Sequence, residues 1–181
     1  MTAPALLIRP SVDTDLPDIT SIYAHHVLTG TGTFELDPPN RAEMTRRRAD
    51  VLAKGLPYLV AEQGGRLAGY AYANPFRPRP AYRFCLEDSI YLAPDAAGRG
   101  IGTLLLAELL ARCEALGARQ MLAVIGDAAN LGSIGLHHRL GFEHTGLLKA
   151  SGWKFERWLD VVLMQRALGV GDGTPPVDAA A

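Results

Sequence analysis

The chain has 181 residues, a length that favours one domain with a full hydrophobic core. Hydrophobic residues make up 48% and charged residues 20%, and 18 Lys+Arg stand against 19 Asp+Glu, so nothing in the charge balance points to nucleic acid. No apolar run approaches the ~20 residues of a transmembrane helix, and the opening Met-Thr-Ala-Pro lacks the pattern of a secretory signal. Cys85 and Cys113 are too few for a disulfide framework or a zinc site, and the cytoplasm is the expected compartment.

Residues 5–9 are a short apolar run that reads as an opening strand. Asp13 is placed to cap a helix on which Leu16, Ile19, Ile22, Tyr23 and Val27 recur at three- and four-residue spacing. His25 and His26 ride on that helix as surface or partly packed side chains. Residues 29–40, rich in Gly, Thr and Pro, form a loop carrying Phe34 and Glu35. A second helix over residues 41–54 contains Arg46, Arg47 and Arg48; with Glu43 and Asp50 flanking them, all three are expected on a solvated face. Residues 57–61 and 66–73 read as strands joined by Gln63-Gly64-Gly65, a hairpin signal. Residues 74–83 interleave prolines with Arg77, Arg79 and Arg83, so an irregular loop is expected there.

Residues 86–116 carry the densest signal. Ile90, Tyr91 and Leu92 suit a strand over residues 89–93, and Pro94 ends it by removing a ladder donor. Gly98, Gly100 and Gly102 then stand at every second position before an amphipathic helix. Its expected inner stripe is Ile101, Leu104, Leu105, Leu109, Cys113 and Leu116, with Gly117 closing it. Glycines at a helix N-terminus let backbone N–H groups approach an anion such as a pyrophosphate. A Walker A loop is excluded because Gly100-Ile101-Gly102-Thr103 has no lysine, and a dinucleotide fingerprint is incomplete. Residues 120–125 read as a buried strand. Residues 130–140 read as a helix ended by Gly141, with Gly132 and Gly135 each weakening it by ~1 kcal/mol. Residues 142–148 and 154–166 supply two further strands. One domain over residues 1–168 is expected, followed by a disordered tail over residues 169–181.

This order of elements, with Gly-x-Gly opening the third helix, resembles the GCN5-related N-acetyltransferase family. Gly98-Arg99-Gly100-Ile101-Gly102 matches the core of its pyrophosphate loop, although Ala97 stands where Gln or Arg is usual. Asn130-x-x-Ser133-x-x-Leu136-His137-x-x-Leu140-Gly141-Phe142 matches a second motif, with His137 where many members have Tyr. The resemblance implies an α/β (α+β) fold whose central mixed, mostly antiparallel twisted sheet has about seven strands, with about four helices. It implies acetyl-CoA as co-substrate and no metal. The cofactor would lie on Gly98, Arg99, Gly100, Ile101, Gly102 and Thr103, along Asn130, Ser133 and His137, and against the strand backbone at Ile90, Tyr91 and Leu92.

Four further matches resemble the phosphinothricin acetyltransferase subgroup: Phe34-Glu35, Pro75-x-Arg77-x-Arg79-x-x-Tyr82, Leu86-Glu87-Asp88-Ser89-Ile90-Tyr91, and Gly152-Trp153-Lys154-Phe155-x-Arg157-Trp158-Leu159-Asp160. Glu156 replaces a usual glycine. The subgroup acetylates the α-amino group of phosphinothricin, methionine sulfoximine and methionine sulfone, and commonly forms homodimers. Acetyl transfer needs a deprotonated amine, a polarised carbonyl and a proton for the thiolate. Glu87 is the expected base, its pKa raised by burial, while Asp88 faces the other side of the strand. A strand N–H near Ile90 to Leu92 would polarise the carbonyl. His137 is the candidate donor to the thiolate. Arg79, Tyr82 and Arg77 would anchor the acceptor's acidic group, and Phe34 would wall its apolar side. A small amino-acid-like partner is thus expected, with no nucleic acid or membrane. The alternatives are another amine, a protein N-terminus, or a CoA-binding module without catalysis.

Overall fold

The computed structural model describes residues 5–176. In chain order its elements are β1 (Leu6–Pro10), α1 (Leu16–Thr29), α2 (Arg41–Ala53), β2 (Tyr58–Gln63), β3 (Arg66–Pro75), β4 (Cys85–Leu92), α3 (Ile101–Ala115), β5 (Gln120–Gly126), α4 (Leu131–Arg139), β6 (Glu143–Lys154) and β7 (Arg157–Ala167). The seven strands make one sheet in the order β1-β2-β3-β4-β5-β7-β6. Every pairing is antiparallel except β4 with β5, which are joined by the crossover through α3. Gly64 and Gly65, at φ 61° and 76°, make the two-residue turn between β2 and β3, as the sequence predicts.

The parallel pairing is short, and that is what makes a site. Only Cys85, Leu86 and Glu87 pair with β5, opposite Gln120, Met121 and Leu122. Beyond Glu87, β4 stays on β3 as far as Leu92, while β5 stays on β7 as far as Gly126. The sheet therefore splits into a V between the two strands. The core lies on both sides of the sheet. Leu105, Leu106, Leu109 and Cys113 of α3 cover one side with Met121 and Phe142, and Ile19, Tyr23 and Val27 of α1 with Met44 of α2 belong to the same continuous core.

Several expectations are corrected. Asp13 does not cap α1: it accepts from Arg48, and a short 3-10 turn over Asp13–Asp15 precedes the helix. Asp15 accepts from Val12 N and from Arg9 instead. Of the three arginines on α2, only Arg46 stays on a solvated face. Arg47 reaches Glu35 and Glu43, and Arg48 is 8% exposed, donating to Ser11 Oγ and Ser11 O. The buried arc of α3 runs through Leu106 and Leu110, whereas Leu104 and Leu116 are exposed. Ile101, Leu105, Leu109 and Cys113 are buried as expected, and the centre of the apolar face lies about half a residue step, ~50°, from the expected one. Strand β3 continues to Pro75 and β4 starts at Cys85, since a terminal proline loses only one ladder bond. β6 runs on to Lys154 and β7 begins after the turn, at Arg157. Residues 169–176 form turns fastened by Arg119, which donates to Gly171 O and Thr174 Oγ1. The expectations for residues 1–4 and 177–181 fall outside the described residues.

Candidate active site

Backbone groups line one wall of the V. Ala93 N–H donates to Ala68 O at 2.9 Å, so alternation turns the N–H and C=O groups of Tyr91 and Ser89 toward β3. Those of Asp88, Ile90 and Leu92 face the opening. The Leu92 carbonyl is already taken, accepting from His26 Nε2 at 2.8 Å. Burial lowers the His26 pKa and keeps that imidazole neutral. Ile90 N–H and Leu92 N–H are left as the donors. Tyr91, expected beside them, instead faces the cavity through its ring, which packs on Tyr23, His26 and Tyr70.

The turn after β4 supplies the second set of donors. Gly98 and Gly100 sit at φ 73° and 79°, the left-handed region that penalises other residues, and Gly100 is the N-cap of α3. A methyl at either would meet nothing within 4 Å, so their outer faces are open. Gly102 differs: a Cβ there would lie 3.2 Å from the Leu92 side chain and 3.4 Å from that of Leu136, a tight fit against two leucine methyls. The first N–H groups of α3 have no intrahelical acceptor and stand at its positive end, a fit for pyrophosphate. Gly98, Gly100, Gly102 and Thr103 line the cavity. Two expected members do not. Ile101 is core at 3% exposure, and the Arg99 guanidinium turns to Asp95 O and Gln63.

The opening between the strands, this turn and α4 enclose one cavity of about 1460 Å³. Glu87 and Asp88 both line it, from opposite faces of β4. Burial raises the Glu87 carboxyl above its usual range, Asp88 adds to the rise, and Arg77 opposes it. Asp88 is buried and meets His137 of α4, with Nε2 to Oδ2 at 3.0 Å. The His137 Nδ1 lies 2.7 Å from Ser133 O, an atom that only accepts. Toward an ionised Asp88 both ring nitrogens donate, an arrangement that favours the cationic imidazole. Burial works against that charge, but the Asp88 bond and field and the Ser133 carbonyl prevail and raise the pKa. This pair ties the strand carrying Glu87 to α4. Asp88 Oδ1 is buried with no hydrogen-bond partner. Asn130 caps α4, accepting from Ser133 N at 3.2 Å, and lines the cavity together with Ser133.

The remaining expected residues divide. Phe34 lines the cavity, its ring lying against the backbones of Gly126 and Gly152. Arg77, Arg79 and Tyr82 lie outside the lining, on the exposed segment between β3 and β4. There Arg77 lies 4.6 Å over the Phe76 ring, which meets Tyr82 edge-on. Three features of the site were not foreseen from the sequence: the Asp88–His137 pair, the His26–Leu92 bond and the Asp127 turn. The Asp88–His137 pair joins positions 49 apart, and His26 reaches Leu92 across 66. Asp127, at φ 67°, accepts from Ala129 N at 2.9 Å and from Arg157 at 2.7 Å, shaping the entry to α4. For Asp127 alone a signal existed: an aspartate between a strand and a helix is a turn residue tolerant of the left-handed region.

Comparison with known proteins agrees with this geometry. Residues 21–142 match the model of the acetyltransferase (GNAT) family. A phosphinothricin N-acetyltransferase of Alcaligenes faecalis is 58% identical over 172 residues, covering 95% of this chain and 87% of that one. An L-methionine sulfoximine/L-methionine sulfone acetyltransferase of Pseudomonas paraeruginosa is 40% identical over 162 residues, covering 87% of this chain and 92% of its own. Among solved structures, a GNAT superfamily phosphinothricin acetyltransferase from Sinorhizobium meliloti in complex with AcCoA superposes with a TM-score of 0.92 at 52% identity, covering 96% of this chain and 94% of that one. Taken with the split sheet and the glycine turn, these likenesses establish that the chain belongs to the acetyltransferase (GNAT) family.

Proposed function

We propose that this chain is an acetyl-CoA-dependent N-acetyltransferase of small amino-acid analogues, acting on the α-amino group of phosphinothricin, methionine sulfoximine or methionine sulfone. The observation that carries the reading is the meeting, in one cavity, of the glycine turn, the free β4 backbone edge and a carboxyl whose pKa burial raises. The likeness to the Alcaligenes faecalis and Pseudomonas paraeruginosa relatives supports the substrate class.

Acetyl-CoA supplies the thioester when bound. The N–H groups at the start of α3 hold the pyrophosphate, and α4 flanks the chain leading to the thioester. Ile90 N–H or Leu92 N–H donates to the carbonyl oxygen as negative charge develops on it. Glu87, directly or through water, takes one proton from the substrate ammonium so that nitrogen can attack; as the C–N bond forms the C–S bond breaks, and the second proton, shed by the acylated nitrogen, neutralises the departing thiolate. A raised pKa brings that carboxylate closer to the proton affinity the task needs. His137 holds α4 against β4 and is not assigned the proton for the thiolate, because both of its N–H groups are engaged. Phe34 walls the acceptor side. Arg77, Arg79 and Tyr82, on the exposed segment outside the lining, would anchor the acceptor's acidic group; for Arg77 alone the field it exerts on Glu87 supports the role.

The reading extends to a homodimer. Leu147, Leu148, Trp153, Phe155 and Trp158 are exposed on the β6–β7 hairpin, whose outer strand is a sheet edge. Light scattering tests it, and a monomer at micromolar concentration overturns it. It extends also to the cytoplasm, where thiols such as Cys85 and Cys113 stay reduced. Among the described residues no helix is long and apolar enough to cross a membrane.

The deciding experiment follows thiol release from acetyl-CoA with L-phosphinothricin, L-methionine sulfoximine, L-methionine sulfone, a simple amine and a peptide. Turnover on the three analogues, with little on amine or peptide, is expected. Preference for the peptide would replace this reading with N-terminal acetylation.

A further inference from the structure

The Gly152-Trp153-Lys154-Phe155 segment has no part in the chemistry above, yet it carries a buried lysine. Lys154 is 3% exposed, and its Nζ donates to Thr33 O at 2.8 Å across 121 positions of sequence. The Phe155 ring lies 5.0 Å from the same nitrogen. Burying an ammonium opposes folding, and a methionine would fill similar space without that cost. What the ammonium adds is a directed hydrogen bond to one carbonyl.

That carbonyl belongs to the segment forming the acceptor wall. Thr33 and Phe34 both face the cavity. From α1, Tyr23 Oη bonds Thr33 Oγ1 at 2.9 Å and Glu35 at 2.9 Å, while Arg47 of α2 holds Glu35. On the other side the Phe34 ring presses on two glycines. A Cβ on Gly126 would lie 2.9 Å from Phe34 Cε1, and a Cβ on Gly152 would overlap the ring. Lys154, two residues beyond Gly152, is the grip that the β6–β7 hairpin exerts on this segment.

We propose that Lys154 is a positioning residue: its bond to the Thr33 carbonyl seats Phe34 on Gly126 and Gly152, and so sets which acceptor side chains fit. The proposal rests on the reading that Phe34 walls the acceptor side. Lys154 is not part of the cavity lining. It governs the width of the acceptor pocket from behind the wall.

The test uses the full chain carrying Lys154→Met, with Lys154→Arg as the variant that keeps a donor. The first readout is amide hydrogen exchange without ligands. Exchange over residues 31–36 should quicken about 10-fold or more in Lys154→Met, on the scale of one lost charged hydrogen bond, with α3 and β5 unchanged and with partial recovery in Lys154→Arg. The second is a set of KM values. The acceptor KM should rise about 10-fold on the same scale, the acetyl-CoA KM should hold, and the ratio of rates on methionine sulfone and phosphinothricin should shift. Unchanged exchange at 31–36 overturns the proposal whatever the activity. Faster exchange with unaltered acceptor KM and selectivity overturns it too. A loss confined to carboxylate-bearing acceptors, with exchange unaltered, would instead mean direct anion contact. If Lys154→Met does not fold, Gly152→Ala displaces Phe34 from the other side and must shift the same ratio. Should wild type acetylate none of the analogues, the functional reading fails, while the exchange readout still decides the grip.

Discussion

The half of the cavity proposed to take the pyrophosphate is made of backbone, whereas the half proposed to take the acceptor is made of side chains. The first is drawn almost wholly from residues 88–103, a strand edge running into a glycine turn. The second is assembled from the loop after α1, the end of β5 and the hairpin of β6 and β7, with Lys154 and Thr33 121 positions apart. A backbone site depends little on the side chains around it, so Ala97 in place of Gln or Arg should cost little cofactor affinity. A side-chain site responds to each substitution, and so can be retuned without disturbing cofactor binding.

The largest effect should come where the halves meet. Glu87→Gln should lower kcat by ~10²-fold or more, the scale of a lost general base, while isothermal titration finds acetyl-CoA binding unchanged. An equal loss of cofactor affinity would show that Glu87 belongs to the cofactor half. The pH profile sharpens the same point. A raised carboxyl pKa means kcat/KM falls as pH drops through a value above the ordinary ~4.3 of glutamate, and the Gln variant should lack that limb.

Next is the pair that ties β4 to α4. His137→Phe leaves the Asp88 charge buried and uncompensated, a change of roughly 3–5 kcal/mol, which should lower the melting temperature by about 10 °C. Because the folded-state pKa of His137 is raised, its stabilisation is fully present below the unfolded value of ~6.5. It is lost as pH rises through the folded value. The stability difference between wild type and His137→Phe should therefore shrink on going from pH 6 to pH 9, and a constant difference would mean the imidazole is neutral.

Smaller still is a change within the cofactor half. Gly100→Ala forces a Cβ into φ 79° at about 1–2 kcal/mol. Acetyl-CoA affinity should weaken about 10-fold and acceptor KM stay put; a shift in acceptor KM would blur the division. The smallest lies on the hairpin. Phe155 and Glu156 form its two-residue turn at φ 50° and 57°, a type I′ geometry that favours glycine. Glu156→Gly should raise the melting temperature by about 2 °C, matching a gain of 0.5–1 kcal/mol, with kinetics unaltered.

The cofactor half was legible because its information is local. Three glycines, a proline and an apolar helix within one stretch specify a turn at a helix start whatever lies around them. The acceptor half was legible only as a set of residue types. Phe34 was named without its two glycines, and Lys154 without a role, since nothing nearby in sequence marks a partner 121 positions away. Arg48 shows the same limit: beside Glu43 and Asp50 it reads as solvated, yet Ser11 and Asp13 bury it.

Sequence alone determined the order of elements, the turn between β2 and β3 and the glycine turn before α3. These depend on backbone conformations and periodicities that a few adjacent residues impose. Tertiary structure decided that β4 and β5 part after Glu87, that Ile90 and Leu92 rather than Tyr91 offer their backbone, and that His137 is occupied by Asp88 and Ser133. Those outcomes turn on where a strand stops finding a partner and on which distant groups satisfy a buried charge. Both are settled only when the whole sheet is assembled.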